Sequence, residues 1–222
     1  MIPELVPQEV FTNPFRATIH SIGINTKLVP PADEPKLWAD VLSPKFKGKI
    51  VSEDPRGSGS GGSIMASLEL AFGTEFLHKL AAQNIFFDRN AGTILAGLVR
   101  GEHALFLSAS HDDMIVARKN GAPVKFLKPM DGTRANGNFQ SIVKNAPHPN
   151  AVRLWIEWSL SEEGQQMLGK VGLVPARKGI ATAEPEADLA GVKLLPIPQT
   201  RQDVTYLKER TKRYEAIFFK KN

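Results

Sequence analysis

Hydroxyl and backbone donors crowd one stretch of this 222-residue chain, Glu53-Asp54-Pro55-Arg56-Gly57-Ser58-Gly59-Ser60-Gly61-Gly62-Ser63. Serines supply hydroxyl donors, and glycines let a backbone come close to a guest. The run at residues 48–52 before it has strand character. The run at 64–72 after it places Ile64, Met65, Leu68 and Phe72 on one helical face. The order strand, Gly/Ser loop, helix has a chemical use. The first turn of a helix leaves N–H groups unpartnered and carries partial positive charge, so an anion sits well there. Ser58, Gly59, Ser60, Gly61, Gly62 and Ser63 are the candidate ligands of such a site. The loop lacks the Gly-Lys-Ser/Thr ending of a nucleotide-binding loop and the dinucleotide fingerprint. On the loop alone, a flexible connector capped by Ser63 stands beside the binding reading.

The elements around the loop favour binding. A second strand–loop–helix unit follows, with a strand at 85–87, the polar loop Asp88-Arg89-Asn90-Ala91-Gly92-Thr93 and a helix at 94–100. A third has a strand at 103–110 (HALFLSAS), then His111-Asp112-Asp113 opening a helix that Gly121 stops. Alternating β and α units with short loops predict an α/β fold, a parallel or mixed sheet covered by helices. Ligands bind beyond the carboxyl ends of such strands. All three loops fall there, which adds Arg89, Asn90, Thr93, Ser110, His111 and Asp112 to the candidates. Asp112 and Asp113 also suit the helix dipole, the bland reading, which is preferred for Asp113.

The rest of the chain frames these units. Residues 1–16, with Pro3, Pro7 and Pro14, read as an extended arm. A strand is expected at 17–26, a short helix at 34–41 with Leu37, Trp38 and Val41 inward, and a helix at 75–83. Further strands are expected at 124–127 and 140–143, and helices at 151–160, 165–171 and 203–219. Ser161 is a good N-cap. In the last helix Val204, Leu207, Thr211, Tyr214 and Phe218 share one face, and Lys208, Arg210, Lys212 and Arg213 read as a solvated face.

Composition bounds the function. The net charge of +5 is spread out, with no basic run interleaved with aromatics, so no nucleic-acid groove is read. The chain has no cysteine, which removes disulfides, thiolate metal sites and cysteine nucleophiles. No apolar stretch is long enough to span a membrane, and no signal peptide is read at the start. The five histidines are scattered. No Ser–His–Asp set or metal-ligand cluster marks an enzyme, and no cofactor is called for.

Several phrases taken together resemble a family. They are Trp38-Ala39-Asp40-Val41-Leu42-Ser43-Pro44-Lys45-Phe46-Lys47-Gly48-Lys49-Ile50, Glu53-Asp54-Pro55 with its loop, and Leu80-Ala81-Ala82-Gln83-Asn84. Gly121-Ala122-Pro123-Val124, Asn145-Ala146-Pro147-His148-Pro149-Asn150-Ala151 and Ser161-Glu162-Glu163-Gly164-Gln165 follow. In that order they resemble the extracellular solute-binding proteins of bacterial ABC importers, in the ferric-iron-binding-like branch. The resemblance implies a type II periplasmic-binding fold, two lobes with a ligand in the cleft, and a non-enzymatic protein. It implies a solute (an anion, organophosphate, carboxylate or metal complex), a membrane permease as partner and a periplasmic or extracellular location. It also implies a division into an arm at 1–16, lobe 2 at 17–127 and the C-terminal part of lobe 1 at 128–222, with part of lobe 1 absent. Ferric members carry adjacent tyrosines where this chain has His111-Asp112-Asp113, so a tyrosine pair for ferric iron is not available here. The alternatives are a remnant that binds nothing alone and an enzyme acting on phosphorylated substrates.

Overall fold

The computed structural model describes residues 13–57, 59–198 and 204–220. In chain order its elements are β1 (Asn13–Asn25), β2 (Ile50–Glu53), α1 (Ser60–Phe72), α2 (Thr74–Ala81), β3 (Phe86–Asp88), α3 (Ala91–Arg100), β4 (Leu105–Ser110), α4 (His111–Lys119) and β5 (Val124–Leu127). Then come β6 (Arg134–Gln140), α5 (Pro149–Leu160), α6 (Glu162–Lys170), β7 (Val174–Pro175) and α7 (Val204–Phe218). The described residues group into two compact units. The first comprises those of Met1–Ile19 and Ala135–Gly191, the second those of His20–Arg134 and Val192–Asn222.

The second unit is built on a mixed sheet of order β3-β2-β4-β1-β5. β2 pairs in parallel with β3 and with β4, while β1 runs antiparallel to β4 and β5. β4 is the central strand, and its run Leu105 to Ala109 is buried throughout, as a strand covered on both faces must be. The three parallel strands end at one edge of the sheet, where Glu53 of β2 is in register with Asp88 of β3. The chain turns there three times, and α1, α3 and α4 begin at that edge. Against the sheet, Ile22, Ile24, Trp38, Ile50, Ile64, Leu68, Leu77, Leu80, Leu105 and Tyr214 form one core. Each such large side chain contributes about 1.5–3 kcal/mol on burial. Trp38 is pinned as well as buried. Its Nε1–H donates to the Gly132 carbonyl at 2.8 Å, and its backbone N–H donates to the Asp131 carboxylate.

In the first unit, β6 and β7 both pair with β1, β7 through Arg16↔Pro175 and Ala17↔Val174. Ser161 caps α6 as expected, its Oγ accepting from Gly164 N–H at 3.1 Å. Gln165 is buried and ties this unit together. Its Nε2 donates to the Phe15 and Ser159 carbonyls, and its Oε1 accepts from Arg177 N–H.

Some boundaries differ from the sequence reading. β1 begins at Asn13, so residues 13–16 are strand, not arm. The expected helix at 34–41 is replaced by 3-10 turns at Pro31–Asp33 and Trp38–Leu42, because Pro30, Pro31 and Pro35 remove the N–H donors a helix needs. Trp38 and Val41 still turn inward. The strand expected at 140–143 lies earlier, as β6, whose buried start is Arg134 and Ala135, while Val143 is exposed.

Candidate functional site

The loop joins β2 to α1, and α1 starts at Ser60, one turn earlier than its apolar face suggests. Ser52 and Ser108 sit side by side under it, with Glu53 N–H donating to Ser108 Oγ at 3.0 Å. Gly59 is the N-cap and offers no side chain. The capping is done by Glu53 instead. One oxygen of its carboxylate, Oε2, accepts from Ser60 Oγ and from Gly61 N–H, the latter at 3.1 Å. A carboxylate therefore rests on the first-turn donors of α1, the place where a helix favours negative charge.

Gly61 and Gly62 are glycine for a different reason from loop mobility. A Cβ on Gly61 would lie 2.3 Å from the Glu53 carbonyl oxygen. A Cβ on Gly62 would lie 2.1 Å from the Gly57 carbonyl oxygen and 2.8 Å from Arg210 Nη2. The helix start is packed onto its own loop.

Charge alternates around this point. Asp54 takes a two-pronged contact from Arg56, with Nε at 3.0 Å and Nη2 at 2.6 Å, and Arg89 Nε approaches it to 3.7 Å. The hydrogen bond from Arg56 holds the Asp54 carboxyl below its usual range. The Arg56 guanidinium in turn lies 3.9 Å from the centre of the Phe219 ring. Glu53, Asp54, Arg56, Gly57, Gly59 and Arg89 line a cavity of about 330 Å³. Of its two cations Arg89 is the more exposed, with a side chain 86% exposed against 31% for Arg56.

The neighbouring loops carry the remaining candidates. Asn90 caps α3, its Oδ1 accepting from Thr93 N–H at 3.0 Å, and its own N–H donates to Asp88. Ser110 is the N-cap residue of α4. His111 is fully buried, with Nδ1 2.6 Å from Asp112 Oδ1 and its ring edge-on to Phe126. His20, opposite Ser110 on β1, has its pKa lowered to about 4. Burial is the main cause, reinforced by Arg134 and His111 and opposed by Asp112. Arg134 is itself buried and donates to Ser67 Oγ at 2.6 Å. Ser63 is half-buried in the first turn of α1. Ser58 lies outside the described residues. Among the described residues no group of three or more His, Asp or Glu could hold a metal ion.

The structure thus brings Gly59 and Arg89 to one cavity, sets Ser60 and Gly61 on the Glu53 carboxylate that lines it, and places Asn90, Thr93, Ser110 and Asp112 along the same sheet edge. It adds Glu53, Asp54 and Arg56, which lay inside the quoted stretch but were not singled out. It also corrects the reading of α7. Arg210 is not solvated: it is only 3% exposed, and its Nη2 donates to the Gly57 carbonyl at 2.7 Å. Thr211 Oγ1 donates to the Arg56 carbonyl at 3.0 Å. Arg213 pairs with Glu69 at 2.8 Å, and Tyr214 donates to the same carboxylate. α7 turns these groups onto α1 and its loop, and only Lys208 and Lys212 of the basic set stay exposed.

Residues 6–198 match the family profile described as bacterial extracellular solute-binding protein. An uncharacterized protein of Haemophilus influenzae is 28% identical over 161 residues, covering 69% of this chain and 46% of that protein. The chain therefore spans about half the length of this curated relative. The fold is similar to that of the periplasmic binding protein P5PA, at 26% identity and a TM-score of 0.73 over 94% of this chain and 69% of the other. It is also similar to that of the periplasmic binding protein AfuA from Actinobacillus pleuropneumoniae, solved with exogenous fructose 6-phosphate bound. There the identity is 23% and the TM-score 0.77, over 98% of this chain and 72% of the other. The architecture is accordingly the type II periplasmic-binding fold.

Proposed function

The chain belongs to the bacterial extracellular solute-binding protein family, and on that footing we propose that it captures a small oxyanionic solute on its Gly/Ser loop. The solute class is inorganic phosphate, an organophosphate, a carboxylate or an anionic metal complex. On this reading the protein is a carrier, not a catalyst. It works in the periplasm or outside the cell and hands its solute to the membrane permease of an ABC importer. The supporting observation is the Glu53 carboxylate on Ser60 Oγ and Gly61 N–H. A donor set that takes this carboxylate has the charge and spacing to take a carboxylate or phosphate oxygen. A bound solute replaces Glu53 on those donors and recruits the exposed Arg89. Asn90, Thr93, Ser110 and Asp112 supply the polar edge beside it, with buried His111 orienting Asp112. Ser63, in the first turn of α1, belongs to the same set, and Ser58 joins it by its place in the sequence.

The test is a Ser60→Ala, Ser63→Ala double variant titrated calorimetrically with inorganic phosphate and with glycerol 3-phosphate. Binding should weaken by about tenfold or more, the effect of losing a charge-assisted hydrogen bond. The unfolding midpoint should fall by no more than about 4 °C, since one lost cap is worth about 1 kcal/mol. Unchanged affinity would remove the loop from the site.

A further inference from the structure

Arg210 is a buried charge of the second unit that the loop reading leaves unexplained. It lies in the middle of α7 and is 3% exposed. Among the described residues it forms no ion pair with a carboxylate, and its Nε has no hydrogen-bond partner. Its contacts are the Gly57 carbonyl through Nη2 and two aromatic rings, Tyr206 and Tyr214, each with its centre 6.0 Å from the guanidinium carbon. A carbonyl and ring faces lower the cost of the buried charge but do not cancel it. Burial of a cation without a counter-ion is expensive, and arginine does not escape by losing its proton. Arg210 Nη2 also lies 2.8 Å from the position a Gly62 Cβ would take, alongside the first turn of α1. The positive end of that helix and a buried guanidinium therefore stand together on the inner side of one loop.

We infer that Arg210 is a specificity-determining residue of this site: it supplies fixed positive charge from behind the loop and makes a dianion the preferred guest. The inference rests on the loop being the solute site and names the solute's charge. It separates two jobs within the site. Exposed Arg89, whose side chain approaches Asp54, is free to follow an incoming solute. Arg210 stays in place, because α7 anchors the loop a second time through Thr211 on the Arg56 carbonyl. A fixed charge in a water-poor position acts on the ligand more strongly than an exposed one and is less weakened by salt. Thr211 of α7 and the Phe219 ring just beyond it hold Arg56 independently of Arg210, so changing Arg210 alters the charge while these two contacts keep the loop in place.

The experiment compares the full chain with Arg210→Met and Arg210→Lys by calorimetry at about pH 8, where a phosphate monoester is a dianion. The two probes are glycerol 3-phosphate, a dianion, and dimethyl phosphate, a monoanion. The unmodified protein should prefer the dianion by about tenfold or more. Arg210→Met should lose most of that preference, and Arg210→Lys should recover it in part. A role in loop shape alone would weaken both probes equally, so an unchanged ratio in Arg210→Met overturns the inference while leaving the site in place. An unmodified protein that binds neither probe overturns this inference and removes phosphate esters from the solutes of the loop, while the oxyanion reading itself falls only if inorganic phosphate and carboxylates also fail to bind. If Arg210→Met does not fold, the unmodified protein still decides: equal affinity for the two probes overturns the inference.

Discussion

Replacing Glu53 by Gln isolates the competition that the loop geometry sets up. Glu53 holds Ser60 Oγ and Gly61 N–H through a single oxygen, Oε2. A solute oxyanion must take those donors and leave two negative groups close together. With the displaced carboxylate about 8 Å from the solute charge and an effective dielectric near 20, the repulsion is about 2 kcal/mol. Physiological salt, with a screening length of about 8 Å, reduces it to roughly 1 kcal/mol. Gln keeps an oxygen that can accept from Ser60 and Gly61, so the start of α1 should hold, at a stability cost of about 0.5–1 kcal/mol. Glu53→Gln should therefore bind inorganic phosphate or glycerol 3-phosphate more tightly, by about 5-fold at physiological salt and about 30-fold at low salt. Titration calorimetry at two salt concentrations reads both the gain and its salt dependence. Equal or weaker binding by a folded Glu53→Gln protein would refute the reasoning and leave Glu53 as a helix cap alone.

Further outcomes follow from the structure. Gly62→Ala should lower stability by about 1–3 kcal/mol despite the better helix propensity of alanine, because its Cβ would meet the Gly57 carbonyl at 2.1 Å. In Gly59→Ala the nearest atom is 3.6 Å away, so denaturant titration should find that variant close to the unmodified protein. Stability should fall with pH as His20 charges, since its pKa is about 4 when folded and 6.5 when free, with Arg134, His111 and Asp112 facing it. The neutral form is the one the fold prefers, so this contribution is complete above about pH 6.5 and declines between there and about pH 4. Between about pH 7 and pH 5 the loss is of order 2 kcal/mol, and a His20→Gln protein should lose correspondingly less in thermal unfolding at those two pH values. Asn90→Ala removes the cap that Thr93 N–H uses and should cost about 1 kcal/mol, read as faster amide exchange at the start of α3.

The strand–loop–helix order was legible because its signals are local. Apolar runs marked β2, β4 and the inner face of α1. Gly73 and Gly121 marked helix ends, and both adopt the left-handed backbone that a side chain resists, at φ 81° and 82°. The convergence of three loops at one sheet edge followed from alternation alone. What escaped the sequence is long-range. Glu53 caps a helix that starts seven residues later, across a loop whose path has no periodicity. The burial of Arg210 depends on a partner 153 residues away. Helical periodicity assigns basic positions to water by default, and nothing in α7 itself distinguishes Arg210 from Lys208. His111 opens α4 at the loop end, yet its side chain is fully buried, edge-on to Phe126, while Asp112 beside it stays partly open.

The most direct test of the account is thermal unfolding of the purified chain with a panel of inorganic phosphate, sugar phosphates, carboxylates, polyamines, thiamine and ferric complexes. A ligand at a hundred times its dissociation constant adds about 2.7 kcal/mol to the folded state. For a chain of this length each kcal/mol raises the midpoint by roughly 2–4 °C, so the shift should be about 5–11 °C. At least one oxyanion should give that shift, and the Ser60→Ala, Ser63→Ala protein should lose it. A midpoint that no oxyanion moves, while a polyamine or another cation raises it, would contradict the claim that this loop receives an anion.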